Sequence, residues 1–185
     1  MVWILIVAAC LVGLVAAMAL IGFALPRDHV AARRATLARP PDEVWRALTD
    51  LDAYPRWRRG VTAIERLSPS EFRERSTQGA IRFEIVEDRP AELRITRIAD
   101  PKLPFGGRWI YELAPSDGAT GLTITEDGFI TNPVFRLLSR TVFSTASTLE
   151  KFLTDLGGYL GVPVAVEIAQ PSKRIRQAAD QEHAQ

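Results

Sequence analysis

Hydrophobic and polar positions change their rhythm along this chain, and each change marks a different kind of element. From Val2 to Leu25 there is no rhythm: the run VWILIVAACLVGLVAAMALIGFAL is apolar on every side. At ~1.5 Å per residue it makes a helix of about 36 Å, enough to cross a hydrocarbon core of about 30 Å with some tilt. A helix in lipid pairs all its own backbone groups, which favours that state for an uncharged run. Trp3 falls at one interface, and Pro26 ends the helix beside the other. A cleavable secretory signal would have a basic leader and a shorter apolar core. A lipoprotein signal is hinted at by Val7-Ala8-Ala9-Cys10, with only six residues before it and none charged. Residues 1–26 are therefore expected to form one transmembrane anchor.

Beyond the anchor, His29–Ala38 reads as a first strand. Pro40-Pro41-Asp42-Glu43 opens a helix, with proline pre-set for the first turn and two acids facing the positive end of the dipole. Val44, Leu48 and Leu51 share one face of it at helical spacing. After Gly60 the period becomes two. Residues 61–67, 71–77, 80–88, 91–98, 108–114 and 121–130 read as consecutive strands joined by short turns, which predicts an antiparallel meander. At Pro133 the period returns to 3.6: Val134, Leu138, Val142, Thr145, Leu149, Phe152 and Leu156 line one face of a long helix, expected to end at Gly157-Gly158. Val162–Ile168 is a short extended segment, and the polar stretch 171–185 reads as a disordered tail. The chain thus divides into an anchor (1–26), a soluble α+β domain (27–160) and a C-terminal extension with its tail (161–185). The meander must cover its apolar face, and only the C-terminal helix is long enough to do so. A ligand cavity is expected between that helix and the sheet.

Charge narrows the choice of partners. All 23 basic and 22 acidic residues of the 185 follow residue 26, so the soluble part is highly charged yet balanced. That balance gives no basic field for nucleic acid. Arg27, Arg33 and Arg34 follow the anchor, and the positive-inside rule then puts the soluble domain in the cytoplasm, on a single-pass membrane protein. The single cysteine, Cys10, lies in the anchor. The soluble part therefore has no thiol nucleophile and no cysteine metal site, and neither a metal nor another cofactor is expected.

The segment Pro41-Asp42-Glu43-Val44-Trp45-Arg46-Ala47-Leu48-Thr49-Asp50, followed by Tyr54-Pro55-Arg56-Trp57, resembles the entry helices of the START-like (SRPBCC) superfamily. So does Leu122–Pro133 running into the long helix, and the likeness is greatest to the polyketide cyclase/dehydrase-like branch, over residues 29–160. The resemblance implies a helix-grip fold, a curved antiparallel sheet wrapped around a long C-terminal helix. It also implies an apolar pocket for lipids, polyketides or similar molecules. Some members of the superfamily are enzymes and others only bind or carry, so the fold does not choose between them.

Candidate pocket positions follow from the phase of each element. Phe83 and Ile85, Leu93 and Ile95, Trp109 and Tyr111, and Leu122 and Ile124 are taken from the strands. Leu138, Val142, Thr145 and Leu149 come from the helix. Glu126 falls in phase with Leu122 and Ile124, where a partly buried carboxyl serves as an acid or base. Tyr111, alternating with Trp109 on one strand, offers a hydroxyl. The competing readings are a solvated strand-end glutamate and an ordinary core tyrosine. Arg97, in phase with Leu93 and Ile95, reads first as a solvated strand end and second as a residue at the cavity mouth that meets an anionic ligand group, and Arg56, Arg58 and Arg59 would form a wet loop or touch lipid head groups. His29 and His183 fall outside the expected pocket. The expected function is a membrane-anchored carrier of a hydrophobic small molecule, with a cyclase or dehydratase as the alternative. Oligomeric state is left open.

Overall fold

The computed structural model describes residues 2–77, 79–141 and 145–175. The apolar run forms helix α1 (Val2–Ala24). It is exposed along almost its whole length, unlike the core helix of a soluble protein, and only Gly22 is buried. Strand β1 (Asp28–Leu37) follows, then α2 (Pro41–Thr49), a 3-10 turn and the short α3 (Tyr54–Trp57). The meander is β2 (Val61–Arg66), β3 (Glu71–Ser76), β4 (Gly79–Arg89), β5 (Leu93–Ile98), β6 (Phe105–Ser116) and β7 (Ala119–Ile130). Helices α4 (Pro133–Thr141) and α5 (Thr145–Leu160) and the short β8 (Val166–Ile168) complete it.

All pairings are antiparallel, in the order β2-β3-β4-β5-β6-β7-β1-β8. The sheet has two faces with different coverings. Its inner face packs on α2, α3 and α5 through Leu37, Phe72, Tyr111, Leu113, Leu122 and Ile124, against Leu149, Phe152, Leu153 and Leu156 of α5. A small second core, Leu93, Ile95 and Ile110, lies apart from it with Ile175 packed on top.

Three expectations need correction. First, the apolar stripe predicted for one helix face from Pro133 does not all face the sheet; Pro133–Thr141 and Thr145–Leu160 are described, and Val142 lies outside the described residues. The apolar stripe serves two partners: Leu149, Phe152 and Leu156 enter the sheet core, whereas α4 packs mainly on α1. Second, Gly157-Gly158 does not stop α5, which runs to Leu160 and ends at Gly161 in the left-handed region (φ +67°). Gly157 is there for a close approach, because a Cβ on it would lie 1.9 Å from Val164 Cγ2. Third, the tail is ordered at its start. The Ser172 hydroxyl donates to Glu112 Oε1 (3.0 Å), and Arg174 pairs with Glu87 (3.3 Å). Residues 176–185 lie outside the described residues. In addition, β6 begins at Phe105 rather than residue 108, because Gly106 and Gly107 let Phe129 and the Gly128 backbone come close.

The junction of α1 with the domain is built around Arg136, which is 4% exposed. Its guanidinium donates to the carbonyls of Gly22 (3.1 Å) and Leu25 (2.9 Å), and to those of Ile130 (3.0 Å) and Thr131 (3.1 Å). Gly22 and Leu25 lie in the last turn of α1 and just beyond it, where carbonyls are left short of intrahelical partners (Gly22 O has only the 3.3 Å bond from Leu25 N–H) and the dipole is negative, so a cation is favoured there. Gly22 permits the contact, since a Cβ would lie 1.9 Å from Pro133 O. Arg140 adds a hydrogen bond to Pro26 O at 3.2 Å. Replacing Arg136 by Met keeps the stem and removes every donor. We expect a loss of about 3 kcal/mol, the scale of charged hydrogen bonds, and faster proteolytic cleavage between Ala24 and Asp28 in the detergent-solubilised chain. Unchanged cleavage would contradict the clamp.

Candidate ligand site

The inner face grades from closed to open. At the end near α2, Leu37, Leu122 and Ile124 are fully buried. Toward the start of β1 the same face loosens: Ala31, Phe83, Ile85 and Trp109 are only partly buried. The Glu126 side chain is 20% exposed and that of His29 is 22% exposed. Trp109 stands opposite Glu126, Ala31 flanks Glu126, and His29 stands opposite Gly128. The His29 imidazole meets the Glu126 carboxylate at 3.4 Å. His29 thus belongs to the site, contrary to its placement from sequence. Arg33 extends this polar rim by donating to Glu150 of α5 at 2.7 Å.

Deeper in, the space under α5 holds aromatic rings with a cation among them. The Arg58 guanidinium lies 5.2 Å from the Phe152 ring, 5.5 Å from Tyr54 and 5.6 Å from Trp109, distances at which ring faces attract a cation. Burial works to lower its pKa, but the Glu74 carboxylate bonded to it outweighs burial and holds it above the ordinary value. A second pair lies beside it. Arg94, 5% exposed, donates to Asp88 through Nε (3.0 Å) and Nη2 (2.7 Å) and covers the Trp45 ring at 5.6 Å. Among the described residues its Nη1 is buried with no hydrogen-bond partner, as is Trp57 Nε1. Burial pushes the Tyr111 hydroxyl well above its ordinary 10.0, with Tyr54 adding to the shift and a Thr96 hydrogen bond opposing it. Tyr54 is likewise raised, first by burial, and its hydroxyl donates to Leu48 O at 2.8 Å.

The structure brings together Phe83, Ile85, Trp109, Tyr111, Leu122, Ile124 and Leu149 of the positions proposed for the pocket, with Glu126 on the same face. It does not bring Leu93 and Ile95 there. They pair opposite Glu112 and Ile110 on the outer face, where Ile175 covers them. Alternation in β5 is therefore real but reports the second core, and Arg94 and Thr96 take the inner positions. Arg97 goes outward too and pairs with Glu84 at 2.7 Å. Leu138 is half-buried on α4, and Val142 and the Thr145 side chain lie outside the described residues. Of the basic loop, Arg59 pairs with Asp155 and Arg58 turns inward, so this stretch is not a free cationic patch. Sequence reasoning missed Arg58 and Arg94. Tyr54, Trp57 and Arg58 stand at i, i+3 and i+4, a signal that Arg58 shares the apolar face. A groove of about 670 Å³ also exists, but its lining includes the ion-paired Glu71, Arg82, Glu84 and Arg97 of the outer face. Among the described residues no group of His, Cys, Asp or Glu is arranged to hold a metal.

The family described as polyketide cyclase / dehydrase and lipid transport matches residues 28–160. The chain belongs to that family. No curated protein matches its sequence. Solved structures similar to this family member include a conserved protein from Geobacillus kaustophilus (16% identity, TM-score 0.64, covering 75% of this chain and 99% of that one). A START superfamily protein from Mycobacterium smegmatis is also similar (17% identity, TM-score 0.60, covering 72% and 97%). So is norcoclaurine synthase from Thalictrum flavum (8% identity, TM-score 0.59, covering 72% and 86%). At these identities they show a shared START-like helix-grip fold and nothing about ligand.

Two measurements test the interior. Glu74→Gln leaves the Arg58 charge buried and unpaired, which should destabilise the fold by about 3–5 kcal/mol, whereas the double change Arg58→Met with Glu74→Leu should recover most of it. Denaturant unfolding in detergent reads both, and equal losses would contradict the pairing. The tyrosines set an alkaline limit. Because folding raises the pKa of Tyr54 and Tyr111, the native state holds their protons more tightly than the unfolded chain does. Their contribution is complete below pH 10.0 and is lost as pH rises above it. Spectroscopic titration of the three tyrosines should show two phenolates forming only together with unfolding.

Proposed function

We propose that this family member is a membrane-anchored binder or carrier of a hydrophobic small molecule, held by α1 with its soluble domain on the cytoplasmic side. The observation that carries this reading is the partly buried apolar inner face at the end that α5 does not close, Phe83, Ile85 and Trp109, in a domain whose fold suits hydrophobic ligands. Retention of α1 as an anchor is supported by Arg136: two of its four acceptor carbonyls belong to residues 22 and 25, and cleavage there would strip a buried cation of them. The orientation rests on Arg27, Arg33 and Arg34, although Arg33 and Arg34 are also part of β1. Among the described residues, the two buried arginines are each paired with a carboxylate, Glu74 inside and Asp88 at the exposed edge, so neither offers a free charge to an anion. The unpaired donors on Arg94 and Trp57 suit a neutral oxygen, such as a carbonyl or hydroxyl on an otherwise apolar molecule. Native mass spectrometry of the full chain released from mild detergent should reveal a co-purifying apolar species. A chain that carries none, and that binds no hydrophobic fluorophore, would contradict the proposal.

A second reading, a cyclase or dehydratase, is favoured by one observation, the Glu126–His29 contact at the rim of the inner face. There Glu126 moves a proton and Tyr111, buried and protonated, donates a hydrogen bond to the substrate. Under that reading Glu126→Gln abolishes turnover of a bound polyketide-like substrate and leaves folding intact. Under the carrier reading it leaves ligand occupancy unchanged.

A further inference from the structure

The open end of the grip lies next to the membrane helix, and the two are held at a fixed spacing. Helix α1 has 23 residues, about 35 Å at ~1.5 Å each, against a hydrocarbon core of about 30 Å. Its last turn therefore reaches the boundary between acyl chains and head groups. Gly22 is in that turn, with the Pro133 backbone packed directly on it. The first turn of α4 consequently lies at the depth of the last turn of α1, and Arg136 locks it there through four carbonyls.

The same end of the sheet carries the exposed part of the inner face. Only Leu25, Pro26 and Arg27 separate α1 from β1, so the first residue of β1 is within about 14 Å of the helix end at ~3.5 Å per residue. The loop between β5 and β6 is tied to this end as well: Thr131 donates to Pro104 O through its backbone N–H (2.8 Å) and its hydroxyl (2.9 Å). Leu103 lies in that loop at the edge of the outer-face groove, Phe105 packs on Phe135 of α4 at 5.7 Å, and Val30 and Phe129 are exposed nearby on the outer face of the same end.

We infer that this apolar rim (Leu103, Phe105, Val134 and Phe135) sits in the head-group layer of the bilayer that α1 spans, so that the inner face opens toward lipid and takes an amphiphile from the membrane rather than from water. The inference rests on the anchored reading of α1. The occupant it assigns to the rim is the bilayer surface, because α1 is continuous with the rim and fixes its depth. Burial along the face agrees, since the fully buried end at Leu37 and Leu122 is the one far from α1.

Site-directed depth measurements test it on the full chain with Cys10→Ser, reconstituted in phosphatidylcholine vesicles. Single cysteines at Val12, Leu103, Val134 and Asp117 (one at a time) carry an environment-sensitive fluorophore, and spin-labelled lipids quench it. Strong quenching at Leu103 and Val134 by head-group labels, at least threefold above Asp117 at the far hairpin, is the expected result. Quenching at Val12 by acyl-chain labels with none at Leu103 or Val134 would overturn the inference while sparing the anchor. A rim covered by a neighbouring protein would read that way too. No quenching at Val12 would remove the anchored reading itself.

Discussion

The length of helix available to cover the sheet governs this structure. Strand β7 has 12 residues and extends about 40 Å at ~3.3 Å each. Helix α5 has 16 residues, about 24 Å at ~1.5 Å each. It can close only part of the inner face. The helical stretch before it, α4, could have continued the cover, but its contacts are mainly with α1. Securing α1 and leaving the near end of the grip open are thus two consequences of one diversion of chain.

What lies under α5 is not a plain apolar core. Two arginines enter it, each with its own carboxylate, and Arg58 is enclosed by three rings as well. Buried ion pairs add little stability over well-packed apolar side chains, so their presence points to a role in what the interior can accept. Under the proposed carrier function, an oxygen-bearing apolar molecule would satisfy Arg94 Nη1 and a pure hydrocarbon would not. The rim, with Glu126, His29 and Arg33, is polar by contrast.

Much of the architecture was legible because period and punctuation agree. The apolar run and the Pro-Pro-Asp-Glu helix start form where their patterns place them, and the alternating strands form in the expected order with β6 starting earlier. The site was less legible, for three physical reasons. Alternation tells which residues share a face but not which face is inner: Leu93 and Ile95 alternate for the sake of a second core made by Ile175. A charged residue at an inner position, such as Arg94, reads as solvent-facing until its partner Asp88 is seen across the strand pair. Finally, Gly157 resembles a helix stop in sequence and is instead the contact point for Val164.

The central claim, that the inner face of the grip receives an apolar molecule at its open end, is tested most directly by photocrosslinking. The full chain in vesicles containing a diazirine-bearing fatty acyl lipid would be irradiated, digested and mapped by mass spectrometry. Adducts on Phe83, Ile85 or Trp109, in addition to those on α1, are the predicted result. Adducts confined to α1 and the outer surface would contradict it.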